Sequence, residues 1–179
     1  VRFKISDQGS AYVTKEMPDV MRTTDSTFRP LDAKLGPDGA LYLADWSNPI
    51  IQHGEVDFRD TRRDKEHGRI WRIAAKGRAA LARTDFTKLA TVALLDRLLS
   101  PNSYDQAQAK RVLVERGAAR VQAELATWTA RQTTPAARLQ ALWAHQALNL
   151  PVAPLVAELV ATDDARIRAA AVRVLPVAD

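Results

Sequence analysis

The chain has 179 residues, 46% hydrophobic and 26% charged, with 26 Lys/Arg against 21 Asp/Glu, a net charge of +5 and no cysteine. That balance suits one or two globular domains; it excludes disulfides, thiolate metal sites and covalent haem attachment, and no apolar run approaches the roughly 18 residues of a membrane span. Residues 1–75 carry twelve Lys/Arg and twelve Asp/Glu, so the excess positive charge lies in residues 76–179, as single side chains on helical patterns that read as solvated faces rather than as a nucleic-acid groove.

The amino terminus, VRFKISDQGS, has neither an initiator Met nor an apolar signal core, so the chain is expected to begin inside a longer protein. VRFKI and SAYVT are short alternating runs that predict a hairpin turning at Asp7-Gln8-Gly9. LDAKL and LYLADW follow, separated by Gly36-Pro37-Asp38-Gly39, where Gly39 supplies the positive φ such a turn needs. GRIWRI, ending at Ile73, reads as a further strand.

From Trp46 to Arg69, the stretch that joins LYLADW to GRIWRI, the charges balance. Glu55, Asp57, Asp60, Asp64 and Glu66 stand against Arg59, Arg62, Arg63, Lys65 and Arg69, beside Trp46, Ile50, Ile51 and Phe58. Such turns need only a few residues, and a solvated linker rarely alternates sign so evenly or carries such apolar anchors. The stretch is expected to be ordered as a wall or lid.

After Ala74 the alternation gives way to Ala/Leu-rich segments broken by Pro, Gly and Asn, predicting helices at about 86–100, 103–116, 118–131, 136–149, 152–161 and 164–175. Gly117 is a stop signal, Pro101 and Pro151 open helices or end linkers, and Asp163-Asp164 suits a helix start. Gln106–Leu113 matches Arg168–Leu175 at five of eight positions, and related helices recur at steps of about 34 and 28 residues. The repetition suggests a short α-solenoid of helical hairpins, with an ordinary helical bundle as the alternative. His145, near Leu142, Trp143 and Leu148, reads as a core or groove histidine, and Trp128 as packing.

FRPLDAKLGPDGALYLADW resembles a blade of the six-bladed propellers related to soluble quinoprotein glucose/sorbosone dehydrogenases and NHL repeats. With HGEVDFRD, RRD, HGRIWRI and the helical QAKRVLVERG, the stretch over roughly residues 1–120 is similar to the planctomycete-type membrane-bound dehydrogenase domain proteins, also described as haem-binding multidomain proteins. Those look like a propeller, then HEAT-like helices, then a c-type cytochrome. The resemblance implies an α+β chain with segregated parts: residues 1–75 as the last blade or blades of a β-propeller, residues 76–85 as a linker and residues 86–179 as an α-solenoid of HEAT-like helical repeats.

The same resemblance implies a fragment of a periplasmic or cell-envelope sugar or alcohol dehydrogenase, inactive alone, whose partners are the remaining blades and the cytochrome. It implies no cofactor in these residues, and pyrroloquinoline quinone, Ca²⁺ and haem c in the parent. The competing expectation is a non-enzymatic propeller and repeat scaffold that binds a protein partner through its helices. In either case no membrane span and no nucleic acid are expected here.

In the resemblance, the connection between the second and third strands of a blade lies on the cofactor and substrate face. That makes Arg29, His53, Glu55, Asp57, Arg59, Arg62, Arg63, Asp64 and His67 the candidate site residues. His53 is the candidate general base, because imidazole titrates near neutrality and alcohol oxidation requires proton removal. His67 has the alternative role of capping the third strand. Glu55 and Asp57 could ligate Ca²⁺ or pair with Arg59 or Arg62. The cluster from Asp60 to Asp64 could equally be a charge network that pins the loop, so that Arg62 or Arg63 is expected to meet an acidic partner.

Overall fold

The computed structural model describes residues 1–9, 11–50 and 60–174. They form two compact units, one of residues 1–33 and 42–72, the other of residues 34–41 and 73–179.

In the first unit, β1 (Arg2–Gln8) and β2 (Ala11–Met17) pair antiparallel, from Arg2 opposite Met17 to Gln8 opposite Ala11. The ladder runs two residues further than the sequence suggests. Asp7 and Gln8 are paired strand residues, and the chain reverses at Gly9, whose φ of 57° suits a tight hairpin loop. A second sheet has the order β3 (Pro30–Leu35), β4 (Leu41–Asp45), β5 (Arg69–Ile73). The described residues of this unit bury no apolar side chain: only Asp45 and Asn48, at 3% and 2% exposure, are buried. Phe3, Ile5, Tyr12, Leu31 and Ile70 are each more than half exposed.

The second unit begins with the β3–β4 turn. Gly36 donates to the Ala40 carbonyl at 2.8 Å, and Gly39 sits at φ 76°. Leu81 donates its N–H to the Asp38 carbonyl at 3.0 Å and lays its side chain where a Cβ on Gly39 would stand.

The helices are α1 (Thr91–Arg97), α2 (Ser103–Arg116), α3 (Ala118–Ala130), α4 (Pro135–Ala147), α5 (Ala153–Leu159) and α6 (Ala165–Val172). Polar caps start three of them: Asn102, Thr134 and Asp164 accept from the N–H groups of Tyr104, Ala137 and Arg166. Gly117, at φ 83°, both ends α2 and opens α3, which lets two helices follow each other with one residue between them.

The helix expected over 86–100 is instead a 3₁₀ turn (Phe86–Lys88), an extended Leu89–Ala90 step and the shorter α1. Asp85 caps the 3₁₀ turn through the Thr87 N–H, and the Arg116 guanidinium takes the Thr87 and Leu89 carbonyls. Those carbonyls are therefore satisfied from another helix, and the segment has no need to continue as α-helix. Phe86 turns into the core as a result, at 4% exposure.

That core comprises the buried faces of all six helices, with Leu94, Leu95, Val121, Leu125, Trp128, Leu142 and Leu159 fully enclosed. Trp128 donates its indole N–H to Asp96 at 2.8 Å, which lets a polar edge sit in an apolar centre. The substantial helix contacts all join neighbours one or two steps apart: each helix with the next, and α1 with α3, α2 with α4, α4 with α6.

Candidate functional site

Asp45, the last residue of β4, organises the base of the connection between β4 and β5. Its side chain is fully buried and accepts four hydrogen bonds: from the Arg29 N–H at 2.7 Å, the Ser47 N–H at 2.9 Å, Arg69 Nε at 2.9 Å and Trp71 Nε1 at 2.8 Å. Burial alone would raise its pKa, but the Trp71, Arg29 and Ser47 donors and the Arg69 charge outweigh that and hold it below the usual carboxylate range.

Arg69 continues outward to Asp25 at 2.6 Å and Thr27 Oγ1 at 2.9 Å, and lies over the Trp71 ring at 5.4 Å. Asp25 also accepts from the Thr27 hydroxyl and N–H, and with Arg69 these bring its pKa to about 2. Residues 25–29, the end of β4 and the start of β5 are thereby fixed to one another.

The described part of the connection, residues 46–50 and 60–68, is built from short local closures. Arg62 grips Asp60 through Nε at 3.1 Å and Nη2 at 2.7 Å, and holds that carboxyl at about 2. Arg63 stands 5.9 Å over the Trp46 ring. Asp64 accepts from the Glu66 and His67 N–H groups, both at 3.0 Å, and lies 3.0 Å from His67 Nδ1. The Glu66 N–H leads in holding the Asp64 carboxyl low, against partial burial and with help from His67. A carboxylate only accepts, so Nδ1 carries the proton in this contact, on a side chain 74% exposed.

The structure thus brings together Asp64 with His67, Arg62 with Asp60, Arg63 with Trp46 and Arg29 with Asp45. The Arg29 guanidinium donates to the Phe28 carbonyl at 2.7 Å and approaches the Pro49 carbonyl at 3.5 Å, so it also ties backbone. Among the described residues no hydrogen bond joins Arg29 to Arg62, Asp64 or His67. His53, Glu55, Asp57 and Arg59 lie outside the described residues.

Sequence reasoning passed over Asp45, Asp25 and Arg69. The available signal was parity: Asp45 shares the face of Leu41 and Leu43 in an alternating strand, where an acid must find donors.

In the helices, His145 lines a cleft of about 320 Å³ with Thr129, Arg138, Val152, Leu155 and Glu158. Burial pushes its pKa down, opposed by the Pro151 carbonyl, and Nε2 lies 3.3 Å from the Thr129 hydroxyl. Arg138 pairs with Glu158 across this cleft, joining α4 to α5.

Among the described residues no three His, Asp or Glu side chains are grouped to hold a metal ion, and no helix is long and apolar enough to cross a membrane. Glu55 and Asp57, the candidate Ca²⁺ ligands, lie outside the described residues, and the sequence has no cysteine to attach haem covalently. A family described as a domain of unknown function (DUF7133) matches residues 1–77. No curated protein and no solved structure matches the chain.

Proposed function

We propose that these residues are the junction between a propeller-type β-domain and a HEAT-like helical array in a cell-envelope protein that oxidises sugars or alcohols. On this reading the chain supplies one wall of a substrate face and is inactive alone. The observation that carries it is the Asp64–His67 pair on the long β4–β5 connection, whose base is clamped by Asp45. Oxidation of a carbinol requires removal of the hydroxyl proton. An imidazole whose Nδ1–H is held by a carboxylate, as His67 is held by Asp64, has the chemistry of a general base for that proton. His53 remains the other candidate base. The electron acceptor and any metal belong to chain outside these residues.

The test is dye reduction by the complete protein, reconstituted with pyrroloquinoline quinone and Ca²⁺, against a panel of sugars and alcohols. Activity that falls about a hundredfold in His67→Gln and recovers as pH rises supports this assignment. Activity lost only in His53→Ala moves the base to His53. If no substrate reduces the dye, the enzyme reading fails.

A second reading, a non-enzymatic scaffold, draws on two observations. The strands of the first unit leave Phe3, Ile5, Tyr12, Leu31 and Ile70 exposed, and the substantial helix contacts join helices one or two steps apart, as in stacked repeats.

A further inference from the structure

We infer that the helical unit carries a binding site for a small oxyanion, a carboxylate or a phosphate, in a cleft of about 430 Å³ between residues 83–87 and α2. This site is separate from the β4–β5 connection and does not depend on its chemistry.

One wall is a stripe on α2. Tyr104, Gln108 and Arg111 stand at spacings of four and three, so they share a face. Asn102 caps the Tyr104 N–H at 3.0 Å, and the Tyr104 ring meets Phe86 edge-on at 6.2 Å, which fixes the phenol at the cleft. Arg83 and Thr84 form the opposite wall.

What these groups still have to offer is donors. Asp85, the acid of the cleft, is already engaged: it accepts from the Thr87 hydroxyl at 2.6 Å and N–H at 3.1 Å, and pairs with Lys88 at 3.4 Å. Gln108 Oε1 accepts from Arg111 Nε at 3.1 Å, which turns its amide NH₂ away as a donor. Arg111 meets Glu115 through Nη1 at 2.6 Å and keeps further N–H groups. Lys88 balances Asp85 and Glu115 balances Arg111, leaving Arg83 as the uncompensated charge. Among the described residues neither Arg83 nor the Tyr104 hydroxyl has a hydrogen-bond partner. Two guanidinia, a phenol and an amide around one uncompensated positive charge match an acceptor-only ligand of one negative charge or slightly more.

The experiment titrates the 179-residue chain with inorganic phosphate and, separately, with acetate at constant ionic strength, reading backbone and arginine Nε–H resonances. Saturable shifts confined to residues 83–88, 104, 108 and 111 are expected, with dissociation constants of about 1–10 mM. The tighter of the two probes identifies the ligand as a phosphate or a carboxylate compound. Arg83→Gln should weaken binding about tenfold. Tyr104→Phe, which keeps the ring against Phe86, should weaken it about threefold. Arg120→Gln removes the same charge from α3 and should leave affinity unchanged. Absence of saturation by either probe up to about 50 mM, or equal weakening by Arg120→Gln and Arg83→Gln, overturns the site.

Discussion

Replacing Asp45 by alanine should loosen the β3–β4–β5 sheet more than any other single change in the first unit. The substitution removes the shared acceptor of the Arg29 and Ser47 N–H groups, Arg69 Nε and Trp71 Nε1. Removing one partner of a buried charge pair costs about 3–5 kcal/mol. Arg69 is 31% exposed and keeps Asp25 and Thr27, which places the loss near the low end, about 3 kcal/mol. Hydrogen exchange resolves this: the amides of β4 and β5 should lose about a hundredfold in protection, while those of α2 and α3 serve as the reference. The pH dependence has a definite sign. A carboxylate whose folded pKa is depressed stabilises fully above its unfolded value of about 3.9, and that stability is lost as pH falls through the folded value. Asp25, held at about 2, acts in the same sense. The natural chain should therefore lose sheet protection on acidification below about pH 4, and Asp45→Ala should flatten that dependence. A loss under about 1 kcal/mol, or an unaltered acid profile, would refute the role given to Asp45.

Gly117→Ala forces a side chain into φ 83° between α2 and α3 and should lower helical stability by about 1–2 kcal/mol, read by urea titration of the circular dichroism signal. Arg116→Met withdraws the donors from the Thr87 and Leu89 carbonyls; it should cost about 1–2 kcal/mol and raise exchange selectively across residues 86–91.

Helices α2 to α6 were legible because their signals are local. Gly117 and Asp164, for example, act on residues within a turn of themselves, so the ends expected beside them fall within about two residues of the observed ones. The 3₁₀ turn at Phe86–Lys88 was not legible, because the group that interrupts the helix there, Arg116, stands 27 residues from Leu89. The reversal at Gly9 was misplaced for a different reason: Asp7 and Gln8 have turn-like chemistry, but pairing with Tyr12 and Ala11 overrides it. At the candidate site, His67 and Asp64 were visible as residues, and their pairing at a separation of three was within reach of inspection. Asp45 was hidden because its donors come from residues up to 26 positions away. The backbone contacts of the Arg29 guanidinium were not legible, because the Pro49 carbonyl it approaches lies twenty residues away.

The near-neighbour contacts of the six helices, one or two steps apart, also govern how that unit comes apart and re-forms. Contacts between elements close in sequence require only short loops to close, so folding of this part should be fast, and collapse can start at any pair. The same economy lets single helices open locally. Helix α6, eight residues long and held chiefly through Ile167 and Ala171, has substantial contacts only with α4 and α5, so it can detach without disturbing α1 or α2. Its amides should exchange faster than those of α3 around Leu125 and Trp128, which are fully enclosed in the core.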